Sequence, residues 1–223
     1  MDPLLTFAEA RVLGCLLEKE ATTPDNYPLS LAAVIAACNQ TTNRDPVSAL
    51  TESEVDESLA GLRRKKLAAM LHLAGSRVPK FKHLATDFFP GLQGPEFALL
   101  TVLLLRGAQT VAELRARTER LHAFPDAEAV EAPLRRLLDW QDGPLVAFQP
   151  PGGGRRAATY LPLLFSEPAV AVASPEIPSP PSAASTPVAD WRSSMEQEID
   201  RLRSRLDALE DALGITPHEG GER

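Results

Sequence analysis

The sequence predicts a mainly α-helical protein with small β-hairpins, built as two tandem winged-helix domains plus a C-terminal coiled-coil helix. Three observations support this fold class. The segment TFAEARVLGCLLEK at residues 6–19 recurs in related form as GPEFALLTVLLLR at residues 94–106. After each copy, the chain continues with two further helical segments and a hairpin, which is the order of a winged helix. A heptad pattern of apolar residues then lies near the C-terminus.

Shifts in composition set the expected boundaries. We predict a first winged-helix domain over residues 1–90 and a second over residues 91–166. Residues 167–189 contain six prolines among small residues, which cannot form an apolar core, so they are expected to be a disordered linker. The coiled-coil helix is predicted over residues 190–214, and a disordered tail over residues 215–223.

The first unit carries two helix-start signals. We predict one capping box from Thr6 and Glu9 and another from Thr51 and Glu54. In each, the threonine hydroxyl can accept from the backbone amide of the glutamate, and the glutamate side chain can accept from the backbone amide of the threonine. The predicted elements are a first helix ending near residue 20, a second helix at about 29–38, a third helix closing with RRKK at 63–66, and hairpin strands at 67–73 and 78–84.

A long polar loop, NQTTNRDPVSAL at residues 39–50, joins the second and third helices. Helix-turn-helix units usually have a turn of about three or four residues here. In the simpler interpretation, Asn39, Asn43 and Asp45 stabilise the loop's own backbone through Asx turns. In the alternative, Asn43 and Arg44 contact a ligand, since long loops beside binding helices are often functional.

The second unit repeats this plan. It opens on GPE, with proline at the helix start. Thr110 and Glu113 form a third capping box, and Asp126 is expected to cap the third helix. LRR at residues 134–136 echoes LRR at residues 62–64. The predicted hairpin strands are residues 144–150 and 158–165, around a loop with three glycines.

Charge bears on the class of partner. The net charge is −7, and residues 167–223 hold five basic and eleven acidic side chains, so the two predicted domains are close to neutral. Such domains lack the general basic footprint of a strong DNA-binding protein, although this does not exclude nucleic acid. Within each unit the third helix begins with acids and ends with bases, and bases there also complement the helix dipole.

Our leading functional hypothesis is that this protein, whose cellular process the sequence does not reveal, binds nucleic acid and acts in regulation. The expected contacts come from the loop, the basic ends of the third helices and the hairpins. These residues are Asn43, Arg44, Arg63, Arg64, Lys65, Arg77, Lys80, Lys82, Arg135, Arg136, Arg155 and Arg156. The alternative is a protein–protein interaction module, which the acidic starts of the third helices favour because carboxylates are repelled by phosphates.

No arrangement of side chains predicts catalysis. The acids cluster at helix starts, where capping explains them, and no serine or histidine has the neighbours that a nucleophile requires. Cys15 and Cys38 each lie among apolar helix residues and are expected to be small buried side chains. We therefore expect a non-enzymatic protein with no metal and no cofactor.

The chain is expected to be cytoplasmic. Its N-terminus lacks the basic segment and apolar core of a signal peptide. The longest apolar run, residues 97–105 with Thr101 as the one interruption, is shorter than the roughly 20 residues that span a bilayer.

The C-terminal heptads predict dimerisation. Their spacing alternates between four and three residues, and charge pairing favours two parallel chains over antiparallel ones. The alternative is a helix that packs on its own body or stays frayed. The residues of the predicted homodimer seam are Met195, Ile199, Leu202, Leu206, Leu209 and Leu213.

Several long motifs resemble the bacterial YceH family. They include TTPDNYPLSL at residues 22–31, ACNQTTNRDPV at 37–47 and LLLRGAQT at 103–110, and the similarity covers about residues 4–166. The resemblance implies tandem winged-helix domains. The family is one of unknown function, so it implies no catalytic residues.

Overall fold

The computed structural model describes residues 4–152, 156–165 and 201. The first two ranges belong to one compact unit, Met1–Ala171, and residue 201 belongs to a second, Val172–Arg223. The described part is a mixture of helices with two small antiparallel sheets. Its helices are α1 (Phe7–Thr22), α2 (Leu31–Cys38), α3 (Glu52–Arg64), α4 (Ala85–Phe88), α5 (Gly94–Arg106), α6 (Val111–Thr118) and α7 (Glu128–Leu138). Its strands are β1 (Leu29–Ser30), β2 (Ala68–Leu71), β3 (Lys80–His83), β4 (Val146–Gln149) and β5 (Thr159–Pro162).

Helix starts follow the predicted caps. The capping boxes before α1, α3 and α6 are confirmed, each with a threonine hydroxyl accepting from the amide of the third helical residue. Before α1, for example, the Glu9 carboxylate in turn accepts from the Thr6 amide at 2.8 Å. Asp126 lies one residue before Ala127, the N-cap of α7, and its carboxylate accepts from the amide of Ala129 in the first turn at 2.8 Å.

The two related helices, α1 and α5, pack against each other in the centre of the unit. Their packing is the most extensive of any pair of described elements. Gly14 makes the close approach possible, because a Cβ atom at this position would lie 2.9 Å from Leu105 Cδ2 and 3.2 Å from Leu104 Cβ. Buried residues from both halves form one apolar cluster. The boundary at residue 90 stays a prediction, while the core is continuous across it.

Both predicted hairpins are confirmed as antiparallel pairs, β2 with β3 and β4 with β5. Strand β1 was not expected from the sequence; it adds a third strand beside β3, with Leu29 opposite Phe81. Along β3, Phe81 and His83 are buried while Lys80 and Lys82 are partly exposed. The two lysines therefore share the outer face of the first hairpin.

The third helices of the two halves correspond in a different register from the one suggested by the repeated LRR. The amide of Leu67 donates to the Leu62 carbonyl at 2.8 Å, and the amide of Leu145 donates to the Leu137 carbonyl at 2.9 Å. Leu62 therefore corresponds to Leu137, and the preceding buried leucines of the two helices, Leu59 and Leu134, correspond to each other. The correspondence between the two helices follows their buried apolar residues, and the repeated sequence LRR is not structurally equivalent in them.

Several predictions fall outside the described residues. These are the linker at 167–189, the coiled-coil helix at 190–214 apart from residue 201, the tail at 215–223, and all six residues of the predicted dimer seam. Among the helices that are described, none is long and apolar enough to cross a membrane.

Candidate nucleic-acid interface

The first half presents a group of accessible cations. Arg63 and Arg64 are exposed at the C-terminal end of α3, and Arg77 is exposed in the turn of the β2–β3 hairpin. Lys80 and Lys82 lie partly exposed on the outer face of that hairpin. None of the five forms a side-chain hydrogen bond or ion pair with another described residue. We call these five residues the cation group.

The other predicted bases of the third helices are paired within the chain. Lys65 Nζ lies 2.5 Å from Glu9 Oε2. Arg136 contacts the fully buried carboxylate of Glu96. Glu9 and Glu96 occupy the same position in α1 and α5, three residues after the cap, so each half holds one buried acid against its third helix. Both bases neutralise a buried acid of the chain, so we leave them out of the interface, although the Arg136 side chain is 54% exposed.

The second half therefore offers fewer free cations than predicted. Arg135 is exposed but pairs with Glu131 one turn earlier, at 3.1 Å. Arg156 is exposed, and Arg155 lies outside the described residues. The symmetric charge layout expected from the sequence becomes an asymmetric one in the described part of the chain.

The long loop after α2 is held by its own side chains. Asn39 Nδ2 donates to the Leu50 carbonyl, and the Leu50 amide donates to Asn39 Oδ1, both at 2.7 Å. Asn43 has a φ of +59°, and its Oδ1 accepts from Arg106 Nη2 at 2.7 Å. Asparagine tolerates this left-handed conformation better than most residues. Of the three side chains in the simpler interpretation, Asn39 bonds the loop's backbone, but it joins the two ends of the loop and forms no Asx turn. Asn43 accepts from Arg106 instead, and no side-chain hydrogen bond to the loop's backbone is seen for Asp45 among the described residues.

Arg44 is buried at the base of this loop. Its Nη1 and Nη2 donate to the two carboxylate oxygens of Glu18 at 3.1 and 2.6 Å. Its remaining donors reach the carbonyls of Ala37 and Asn43 and the side chain of Gln40. All five N–H groups of the guanidinium are thus engaged. The predicted ligand contact at Arg44 would have to break this network, so we do not carry Arg44 into the interface.

The environment of Glu18 favours its charged form. Burial acts to raise the pKa of Glu18, but the hydrogen bonds and charge of Arg44, followed by Lys19, outweigh it and hold the pKa below its ordinary value. The pair is therefore ionised near neutral pH and ties α1 to the loop.

A buried histidine cluster was not predicted. His83 Nε2 lies 2.5 Å from Glu20 Oε2, and the Tyr27 hydroxyl accepts from the His83 amide at 2.7 Å. The Ala85 amide donates to His83 Nδ1, so a neutral ring with its proton on Nε2 satisfies every contact. The sequence did contain a signal for its burial: side chains alternate between the two faces along β3, so His83 points to the same buried face as Phe81. The cluster joins α1 to the first sheet.

No group of three or more His, Cys, Asp or Glu side chains is arranged to hold a metal ion in the part of the chain that the structure describes. Cys15 and Cys38 are both buried and unbridged, in agreement with the expected burial.

Comparison with known proteins identifies the family. A family profile described as "Protein of unknown function, DUF480" matches residues 5–155. The "UPF0502 protein YceH" of Salmonella paratyphi C (strain RKS4594) is 43% identical over 213 residues, which cover 94% of this chain and 98% of that protein. The proteins of the same name from Salmonella choleraesuis (strain SC-B67) and Salmonella newport (strain SL254) match to the same extent. The similarity thus reaches beyond residues 4–166, the range that the motifs suggested. With this identity over nearly the full length of both chains, the protein belongs to the YceH family.

Proposed function

We propose that this protein is a non-enzymatic, cytoplasmic tandem winged-helix protein that binds nucleic acid and serves a regulatory role. Three helices followed by a hairpin occur twice in the described unit, as α1, α2, α3 with β2–β3 and as α5, α6, α7 with β4–β5. This order supports the winged-helix assignment. The observation that carries the binding proposal is the cation group, five basic side chains on α3 and its hairpin with no described partner.

The charges of α3 indicate how contact would be made. Its first two turns carry exposed acids, Glu52, Glu54, Asp56 and Glu57. Insertion of this end into a groove would place carboxylates beside phosphates, which is unfavourable. The cation group lies at the other end of α3 and on the hairpin, where it can reach the backbone of a duplex. Phosphate contacts position a protein and read little sequence, so we expect weak sequence preference.

The test is fluorescence anisotropy with a labelled random-sequence DNA duplex and the full chain, over a series of salt concentrations. Each phosphate contact adds about −0.9 to the slope of log affinity against log salt. We expect Arg63→Gln together with Arg64→Gln to weaken binding and to make the slope shallower by about two.

The matched control is Arg135→Gln, which removes an exposed arginine that already pairs with Glu131 on the same helix face. It should leave affinity within about twofold of the wild type. Absence of binding at micromolar protein in low salt, or an affinity that does not change with salt, overturns the proposal.

A second candidate is docking of a partner protein, which the same acidic start of α3 supports. Exposed apolar side chains on the hairpins also support it, since Val78 is 52% and Phe148 50% exposed. Capture from lysate with and without nuclease separates the two functions. A partner that is retained after nuclease treatment and lost on Phe148→Ser favours docking, while loss with nuclease favours nucleic acid.

We also propose that the chain forms a homodimer through a parallel coiled coil of residues 190–214. Support comes from the heptad spacing in the sequence. Sedimentation of the full chain and of Leu206→Asp tests it: a dimer that becomes monomeric is expected, and a wild-type monomer at micromolar concentration refutes it.

A further inference from the structure

A polar groove lies away from the cation group. Its walls are the C-terminal end of α1, the loop residues 39–43, the C-terminal end of α5, and α6 with the residues that follow it. Its volume is about 680 Å³. Clefts that hold small molecules usually measure about 300–1,000 Å³, so this groove has the size of a ligand site. None of the five residues of the cation group lines it.

Positive charge dominates the groove. Two acids line it, Glu18 and Glu119, and the first is neutralised by its ion pair with the buried Arg44. Four cations also line it: Lys19, which pairs with Glu18 at 3.2 Å, and the three arginines Arg106, Arg117 and Arg120. The groove therefore has an excess of positive charge and suits a negatively charged ligand.

The cations retain donors for a ligand. Arg120 is exposed and forms no hydrogen bond or ion pair with another described residue. Arg106 donates through Nη2 to a neutral acceptor, the amide oxygen of Asn43. Arg117 pairs with Glu113 one turn away, at 3.2 Å, in a partly exposed contact of little strength. Three guanidinium groups thus reach the groove with most of their donors available.

Arg106 and Arg117 also repel each other. Burial lowers the pKa of Arg106, and the charge of Arg117 lowers it further. Two like charges held close together are unfavourable, and an anion bound between them would remove this cost. The exposed Thr41 and Thr42, which also line the groove, can add neutral hydroxyl donors.

Asn43 also lines the groove, and its Oδ1 accepts from Arg106 Nη2 at 2.7 Å, so it orients that guanidinium.

We propose that this groove binds a small anion with two or more phosphate or carboxylate groups, held by Arg106, Arg117 and Arg120. Guanidinium groups recognise both anions through paired, charge-assisted hydrogen bonds. More than one anionic group is needed to engage arginines from both α5 and the end of α6. The groove would bind such a ligand whether or not the cation group contacts nucleic acid.

The test is calorimetric titration of the full chain in low salt with two probes, inorganic triphosphate and citrate. Saturable binding of either probe is expected, and the stronger one tells whether the site prefers phosphate or carboxylate. Replacing Arg106 and Arg120 together by Gln should weaken binding at least tenfold, because each lost charge-assisted pair costs about that factor. If the double variant is unstable, Arg120→Gln alone can be used, because this position is exposed and unpaired among the described residues; it should also weaken binding of the probes.

The matched control is the Arg63→Gln, Arg64→Gln double variant, which removes the same charge outside the groove and should bind the probes as the wild type does. A DNA duplex titrated against both double variants separates this proposal from the preceding one. Binding of neither probe at millimolar concentration, equal losses in both double variants, or a groove variant that loses only duplex binding overturns the inference. Loss of duplex binding confined to the control leaves the groove assignment supported.

Discussion

The buried ion pair between Glu18 and Arg44 gives the sharpest prediction about stability. The Arg44 side chain is 0% exposed and that of Glu18 is 13% exposed. Glu18→Gln keeps the size of the side chain but removes its charge, which leaves a buried guanidinium without its carboxylate. Removing one partner of a buried pair usually costs about 3–5 kcal/mol. We therefore expect the free energy of unfolding to fall by about 3 kcal/mol, with the exposed edge of Glu18 keeping the loss near the lower limit.

Urea unfolding followed by circular dichroism measures this change. For a chain of this size, 3 kcal/mol corresponds to a fall in Tm of about 6–12 °C. The double variant Glu18→Gln, Arg44→Met should lose less than the sum of the two single variants, because it leaves no unpaired charge buried. A loss below about 1 kcal/mol for Glu18→Gln, or strict additivity in the double variant, would refute the role of the pair.

The same pair predicts a pH dependence. The pKa of Glu18 is lowered in the folded chain, so its contribution is fully present above the ordinary glutamate pKa of about 4.3. The contribution is lost as the pH falls from that value through the folded pKa. The stability difference between the wild type and Glu18→Gln should therefore be constant near neutral pH and shrink below about pH 4. A difference that grows in acid contradicts this sign.

Three further substitutions test other features by urea unfolding. Lys66 has a φ of +60° directly after α3, so Lys66→Gly should raise the free energy of unfolding by about 1 kcal/mol. Gly14→Leu should lower it by about 3 kcal/mol, because the new side chain would overlap Leu105 where α1 meets α5. Arg136→Ala should lower it by about 2 kcal/mol, since the buried Glu96 would lose its partner.

Each substitution has a control on the same chain. Lys66→Ala removes the charge but keeps a Cβ atom, so it should bring no gain. Gly94→Leu stands where nothing lies within 4 Å and should change stability by less than about 1 kcal/mol. Arg135→Ala breaks only an exposed pair and should cost less than about 0.5 kcal/mol. Equal effects in a variant and its control would contradict the structural explanation of that variant.

Local signals in the sequence predicted most of the helices and both hairpins. A capping box such as that of Thr51 and Glu54 depends on residues three positions apart, so its pattern is visible in the sequence. The strand β1 was missed because two residues form a strand only through pairing with β3, about 50 positions further along the chain. The short helix α4 was missed as well, since four residues carry no periodicity.

The candidate sites were less predictable, because burial depends on distant partners. Arg44 lies in a polar loop, and nothing near it in the sequence indicates that it forms an ion pair with Glu18, 26 positions earlier. Arg135 and Arg136 are neighbours in sequence, yet one pairs on the surface and the other with a buried acid. The polar groove combines four segments, so only the chain's path brings its arginines together.

The contact between α1 and α5 has a consequence for the two hairpins. Gly14 lets α1 approach α5 closely, and buried residues of both halves share one apolar core, so both hairpins are attached to a single packed body. A partner that engages both hairpins must match a single preset span. For such a partner, we expect a change in the distance between its two contact points to lower the affinity more than a change in the chemical groups at those points.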